Sequence, residues 1–511
     1  MIRQTDVLIV GAGPTGLVLA LWLTRLGVRL RIVDQLPEPA TTTRAVAVQA
    51  RTLEFYRQIG IADALVARGR TVTQVNLWVA GRHVARAAFG NIGAGLSPYP
   101  YVLIFSQNAH ERLLIDQLRA EGVVVERRTE LVNFGQTVDR VVARLKLPDG
   151  RVEDCEAAYI AGCDGAHSAV RDGLSIGFPG GTYSHLFYVA DVDARGSAID
   201  GDVHVALDRT DFLALFPMTG DHRVRLVGTI RDEAAPDRDD LSWNDVAQRV
   251  IEWMRIHVDR VNWFSTYRVH HRVAERFRGG RGFLLGDAAH IHSPVGGQGM
   301  NTGIGDAVNL AWKIAAVLHE QAPAAFLDTY EAQRIAFARR LVATTDQAFV
   351  AVTSSGAAAR IVRLRIAPVA IPMLFAFRTA RRLLFPTVSQ IAVNYRHSSL
   401  SEGRAGRVHG GDRLPWVRRE SEDNFAPLAS LDWQVHVYGG AARNLQALCA
   451  ELRLPLHVFT WHPELSRAGL QRNAVYLVRP DGYVALAHPE DGARAIGAYL
   501  AARKLTPAIR G

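Results

Sequence analysis

The chain has 511 residues, 48% apolar, 21% charged and 8% aromatic, which is enough for about two to four globular domains. A short binding module and a disordered or fibrous protein are excluded. The net charge is +9, with Lys146, Lys313 and Lys504 the only lysines among 59 basic residues. The cations are interspersed with acids and form no basic stripe, so anionic small molecules are expected as partners and nucleic acid is not.

The N-terminal segment reads MIRQTDVLIVGAG, a short apolar run that meets a glycine turn. It lacks the longer apolar stretch and cleavage site of a signal peptide. Cys155, Cys163 and Cys449 are too few and scattered for a disulfide framework or a zinc site, and a cytoplasmic location is expected.

A buried strand is predicted over 6–10, then a glycine turn, an apolar helix from Pro14 to Arg25 closed by Gly27, and a second strand over 28–33 ending at Asp34. In GAGPTG, Gly11 permits the tight turn, Gly13 lets the backbone approach a pyrophosphate, and Gly16 allows helix to pack on strand. Free N–H groups at the helix start receive the phosphates. Asp34 is placed to accept hydrogen bonds from ribose hydroxyls. This is a dinucleotide site, but the motif alone does not choose between FAD and NAD.

Further along, YIAGCDGAHSAVR puts Asp164 at a strand end before a helix. From 202 to 230 the pattern changes to period two in DVHVALD, FLALFP and RVRLVGTI, which predicts antiparallel sheet. A helix is expected over 242–257 (SWNDVAQRVIEWMRIH) and another strand over 263–270. The chain then returns to strand, turn and helix at GFLLGDAAHIHSPVGGQGMN, so the antiparallel block reads as an insertion into a doubly wound domain. Asp287 ends this strand, where it can bind sugar-alcohol hydroxyls such as ribityl. Backbone donors at the following helix start can hold an anion developing on a flat heterocycle. His290 and His292 have no neighbouring Cys or paired carboxylates, so they read as structural and no metal is expected. The segment APVAIPMLFAF, 367–377, carries two prolines and is far short of the ~20 residues needed to span a membrane. After 410 the order strand, helix, strand, hairpin, helix forms a compact α/β unit.

Together, GAGPTG, RAVAVQARTLE, FSQNAHERLL, CDGAHSAVR, GDAAHIHSPVGGQGMN and DAVNLAWK resemble the class A flavoprotein aromatic monooxygenases, most closely the phenol hydroxylase and pentachlorophenol monooxygenase branch. The resemblance spans roughly residues 5–345 and, more weakly, the tail through YLVRPDGYVA. It implies an α/β protein with a Rossmann-like FAD-binding domain (1–74, 105–180 and 281–345), an inserted antiparallel substrate domain (75–104 and 181–280), a helical segment (346–398) and a thioredoxin-like domain (399–511). It implies FAD held by Gly11, Gly13, Pro14, Thr15, Gly16 and Asp34, with Arg44 and Gln107 near the phosphates and ribityl chain. Asp287 would contact the ribityl and pyrophosphate region, and Pro294, Gly299, Met300 and Asn301 would lie along the isoalloxazine. Asp164 and Arg171 belong to the motif this family uses for both FAD and NADPH.

No second GxGxxG with strand–helix context and no redox cysteine pair is present, which argues against a disulfide-reductase layout. The implied reaction uses NADPH or NADH and O2 to hydroxylate an aromatic, phenolic or polyketide-like substrate. Reduced flavin activates the oxygen, so the protein must supply a dry pocket in which a flavin hydroperoxide survives. Strand residues 212–218 suit its floor, and Tyr267, His270 and His204 are candidates to make a phenolic ring electron-rich. Where the phenol hydroxylases often carry an aspartate two places after the arginine of the RA pair, Arg44 is followed by Ala45 and Val46. The C-terminal unit lacks CxxC, so a packing or dimer-contact role is expected of it in place of redox exchange. An FAD oxidase or dehydrogenase and a non-catalytic flavin-binding protein stay open as alternatives. A flavin halogenase would need WxWxIP and a catalytic lysine, and none of the three lysines has that setting.

Overall fold

The structure is a computed structural model that describes residues 3–39, 45–207, 212–218, 220, 222–230, 241–246, 248–293, 297–353, 361, 365–366, 369–370, 384–420 and 422–507. Arg44, Pro294 and most of the apolar segment 367–377 lie outside the described residues.

The first sheet is built on five parallel strands in the order Gly282–Leu284, Val152–Gly162, Arg3–Val10, Leu30–Asp34 and Val125–Arg127. Its strands are apolar because both faces are covered, and Val7, Leu8 and Ile9 have no exposed surface. The helix Pro14–Arg25 is buried from Gly16 to Leu23, which is why its sequence is apolar almost all round. It packs between helices Gln107–Ala120 and Gly299–Leu318. Register matters most here. Val10 pairs with Gly162 and with Val33, and Gly162 pairs with Leu284, so the turns after all four strands leave the same edge. Ligands of open α/β sheets bind at that C-terminal edge.

The second sheet has the order His290–Ile291, Ile256–Val273, Gly180–Gly196, Arg223–Ile230, Phe212–Pro217, Val203–Leu207, Gln74–Val79 and Arg82–Ala88. All its pairs are antiparallel except Val203–Leu207 with Gln74–Val79. Side chains alternate between its faces. One face carries Leu186, Tyr188, Ala190, Leu213, Leu215 and Leu226 and is covered by Val250, Ile251 and Met254. The other carries Val203, Val205 and Phe216, which pack with Val46 and Ile104. The helix expected over 242–257 is much shorter. A 3-10 turn at Trp243–Asp245 precedes the helix Gln248–Trp253, and residues from Ile256 on are already strand. Long antiparallel pairing of Ile256–Val273 with Gly180–Gly196 overrides the local helical spacing.

The C-terminal unit runs strand Gln434–Tyr438, helix Arg443–Glu451, strand Leu456–Phe459, helix Pro463–Ala468, hairpin Val475–Val478 and Val484–His488, and helix Ala493–Arg503, a thioredoxin-like order. The turn into its first helix reads Gly440-Ala441-Ala442, without cysteine, and burial pushes the Cys449 thiol up to about 11. This unit is joined to the rest of the chain by buried polar contacts. Arg413 donates to both oxygens of Glu54 at 2.6 and 2.8 Å, Arg51 donates to the Asp481 carbonyl at 2.7 Å, and Trp312 Nε1 donates to the Asp481 carboxylate at 3.1 Å. Among the described residues no helix is long and apolar enough to cross a membrane.

Candidate functional site

At the first turn, Gly11 has φ +99°, and a Cβ there would lie 2.3 Å from the Cys163 carbonyl oxygen. A Cβ on Gly16 would lie 2.0 Å from the Gly11 carbonyl oxygen, so the helix can reach the strand only with hydrogen at this position. Gly13 differs: its Cβ would meet nothing within 4 Å. Pro14 starts the helix, where its missing N–H costs nothing. The Thr15 side chain faces inward, since Cβ atoms added at Gly286 or Gly303 would lie 2.7 and 2.3 Å from its Oγ1. Thr15 therefore wedges the first turn against the third.

Asp34 accepts from the Ala12 nitrogen at 2.7 Å and the Leu36 nitrogen at 2.8 Å, which fixes its carboxylate beside the glycine turn. Arg127, opposite it in register, brings Nη1 to 3.6 Å, while its buried Nη2 has no acceptor among the described residues. Gln107, whose backbone nitrogen donates to the Ala45 carbonyl at 3.2 Å, donates from its side chain to Glu111 at 2.8 Å. Burial pushes the Glu111 carboxyl up to about 6. Arg127 was not singled out in the sequence, because only strand register brings it to Asp34, and neither was Glu111, which lies one helical turn from its partner Gln107 on the same helix.

At the third turn, Gly286 takes φ +57° and Asp287 is exposed at the strand end. The turn is set by Asp306, which has no exposed surface and accepts from the Gly286 nitrogen at 3.0 Å, His290 Nε2 at 2.7 Å and Arg334 Nε at 2.6 Å. Burial acts to raise the Asp306 pKa, but Arg334 and His290 prevail and hold it below the usual carboxylate range. Asp164 works within its own motif, accepting from Ser168 Oγ at 2.5 Å and the Val170 nitrogen at 3.2 Å. Buried Arg171 donates to the carbonyls of Ala288 and Ala166 at 3.2 and 3.0 Å, tying that motif to the Asp287 turn.

Asn301, 1% exposed, uses its amide inside the protein. Its oxygen accepts from the Gln49 nitrogen and Thr52 Oγ1, and its nitrogen donates to the carbonyls of Ala47 and Gly297, all at 2.8 to 2.9 Å. Only its backbone is left to face a flat ring, beside Gly299 and half-buried Met300. Gln298 caps neither the helix nor a ligand with its side chain. It donates to the Val388 carbonyl at 2.8 Å and accepts from Gln390 at 2.6 Å. Ser106 and Ser168 cap their helices with side-chain oxygens, whereas the helices opened by Gly13 and Gln298 have no side-chain cap. Two sets of N-terminal N–H donors are thus left for acceptors outside the helix. Together with the space over Gly13 and the orphaned Arg127 nitrogen, these donors fit an extended dinucleotide ending in a flat heterocycle.

The three candidate residues of the second sheet are not brought together. Tyr267 pairs with Phe187 on the face that carries Phe216 and packs toward Val46 and Ile104. His204 pairs with Leu215 on the opposite face, where Nδ1 accepts from Trp78 Nε1 at 3.0 Å and Nε2 lies 2.8 Å from Asp200. His270 also has the opposite parity to Tyr267, and its Nδ1 lies 2.7 Å from Thr182 Oγ1. Strand parity therefore removes both histidines from the side occupied by Tyr267, Phe212 and Phe216. His292 Nδ1 lies 2.8 Å from the Ser293 carbonyl oxygen, and His290 is taken up by Asp306.

Residues 4–345 match the family model for the FAD binding domain. The chain is 35% identical to 6-methylpretetramide 4-monooxygenase of Streptomyces rimosus, over 98% of this chain and 94% of that protein. It is 31% identical to pentachlorophenol 4-monooxygenase of Sphingobium chlorophenolicum, over 80% and 75% of the two chains. The solved structure of OxyS anhydrotetracycline hydroxylase from Streptomyces rimosus superposes with a TM-score of 0.77 at 28% identity, covering 99% of this chain and 100% of that one. With these turns leaving one edge of its parallel sheet, the chain belongs to the FAD-binding-domain family of class A flavoprotein aromatic monooxygenases, enzymes that use FAD, NAD(P)H and O2 to hydroxylate aromatic compounds.

Proposed function

We propose that this enzyme hydroxylates a fused, polyketide-like phenol seated between the flavin site and the inner face of the second sheet. The observation that carries this reading is the layout of that face. Phe216 stands in one cross-strand row, the smaller Val189, Val227 and Ala214 in the next, and Phe187, Phe212 and Tyr267 in the third. Two residues of strand separate neighbouring rows, so the outer rows lie about 13 Å apart. That span exceeds one phenol ring and approaches the long axis of linearly fused rings. The relatives named for a pretetramide and an anhydrotetracycline point the same way.

FAD, when bound and reduced by NAD(P)H, supplies oxygen activation. The chain's own residues do the rest. Gly13 and the two uncapped helix ends would bind the pyrophosphate and the polar edge of the ring system, and Asp34 and Asp287 the ribose and ribityl hydroxyls. Asp164, Arg171, Thr15 and Asn301 hold these turns in position. Val189, Ala214 and Phe216 would keep water from the reacting edge, where water diverts the oxidant to hydrogen peroxide. Tyr267 would orient the phenolic oxygen through its hydroxyl. One oxygen atom enters the ring C–H bond, the other leaves as water, and NAD(P)H supplies the two electrons.

The purified holoenzyme should oxidise NADPH faster with tricyclic or tetracyclic phenols than with single-ring phenols, and yield hydroxylated product. A preference for monocyclic phenols at equal coupling would overturn the substrate assignment.

A further inference from the structure

On the inner face of the second sheet, in the row of Phe216, stands a buried arginine that the reading above does not use. Arg225 pairs in register with Phe216 on one side and Asp191 on the other. It is 2% exposed, and its Nε and Nη2 donate to the two oxygens of Asp191 at 2.6 and 2.8 Å. The ring of Trp263, the next residue across the row, lies 5.7 Å from the guanidinium carbon. Among the described residues its Nη1 has no acceptor.

A buried guanidinium donor without a partner is destabilising, so such a group calls for a reason. Asp191 already neutralises the charge and fixes the fork, leaving one edge of a rigid, always-charged donor in a row flanked by Phe216 and Trp263. Arg31, Arg51, Arg127, Arg272 and Arg479 also have an orphaned nitrogen. Arg31 and Arg127 are on strands of the first sheet, and Arg51 and Arg479 are at the contact with the C-terminal unit. Arg272 is on the second sheet, near the end of the strand Ile256–Val273, but five residues from Tyr267 and so with the opposite parity. Of these described arginines, Arg225 alone stands on the inner face, one strand from Phe216, which packs with Val46 and Ile104.

We propose that Arg225, oriented by Asp191, is a specificity-determining residue whose Nη1 binds an anionic oxygen of the aromatic substrate, a carboxylate or the enolate of a 1,3-dicarbonyl. This rests on the placement of the substrate under "Proposed function" and adds the charged group the substrate carries. Because Asp191 fixes one edge of the fork, the contact is a single charge-assisted bond, and the oxygen must approach in the plane of the guanidinium. The row spacing then sets the anion at one end of the pocket and the ring contacting Tyr267 at the other.

The test measures binding of three probes to the FAD-loaded protein by flavin fluorescence at neutral pH: 1-hydroxy-2-naphthoate, 4-hydroxycoumarin, which is ionised there as the enolate of a 1,3-dicarbonyl, and neutral 1-naphthol. At least one of the first two should bind about tenfold or more tightly than 1-naphthol, the scale of one charge-assisted hydrogen bond. Preference for the naphthoate identifies a carboxylate, and preference for the coumarin an enolate. R225M should erase the preference while leaving 1-naphthol affinity and FAD content within about twofold, a split that general loss of structure would not produce. If R225M fails to fold because Asp191 is left unpaired, the double variant D191L/R225M replaces the pair with apolar groups and should give the same result. The proposal is overturned if the wild-type protein shows no preference, or if the preference survives removal of the arginine. Flavin bound and 1-naphthol accepted without such a preference sinks this inference alone, whereas a chain that takes up no flavin sinks the underlying reading with it.

Discussion

The Asp306 carboxylate accepts a hydrogen bond at 3.0 Å from the backbone nitrogen of Gly286, the residue just before the exposed acid of the third turn. A buried side chain on the long helix thereby sets where Asp287 projects. Asp306→Asn would leave Arg334 without its carboxylate and place an amide nitrogen against donors. The expected loss is about 3 to 5 kcal/mol of stability, with weaker FAD retention in whatever folds. Thermal denaturation with and without FAD checks this, and a variant with wild-type midpoint and flavin content would contradict it.

The glycines of the first turn should separate folding from cofactor binding. A methyl on Gly16 collides with the Gly11 carbonyl oxygen, whereas one on Gly13 finds open space at an ordinary φ of −75°. Gly16→Ala should therefore destabilise the chain with or without FAD. Gly13→Val should fold like the wild type and lose FAD affinity by about tenfold or more, since the added atoms occupy the place assigned to the pyrophosphate. Equal FAD dissociation constants for Gly13→Val and wild type would remove the pyrophosphate from this position.

Stability should fall as the solution is acidified below neutrality. Burial lowers the His110 pKa from 6.5 to about 3, with Nε2 2.6 Å from the Tyr56 hydroxyl. A base whose folded-state pKa is depressed binds fewer protons when native, so it costs stability as pH drops below 6.5 toward 3. The loss is about 1.4 kcal/mol per unit for each such group, or about 2 kcal/mol at pH 5. Buried His436 adds a similar term in the C-terminal unit. His110→Phe should flatten the decline in denaturation midpoint between pH 7 and 5, and an unchanged slope would mean His110 is already charged in the native state.

The local parts of the site were legible in the sequence. A glycine turn, its helix and the acid ending the next strand lie within a few dozen residues, and backbone geometry dictates the residue types. Partners set by register were not: Arg127 reaches Asp34, and Asp306 reaches Gly286, only after strands and helices have packed. The sheet candidates show the same limit at finer scale. The alternation of Val203, His204 and Val205 was readable, but which face turns toward Val46 was not, and that face decides between Tyr267 and the two histidines. The shortened helix near Trp253 reflects a strand partner some seventy residues earlier in the chain, at Gly180–Gly196, which local periodicity does not carry.

Catalysis by insertion of one oxygen atom from O2 is tested most directly with labelled dioxygen. The purified yellow protein, given NADPH, 18O2 and a fused phenol, should yield product carrying one 18O atom per molecule, in step with NADPH consumed. Unlabelled product, or hydrogen peroxide formed one-for-one with NADPH whether or not the aromatic is present, would contradict the account.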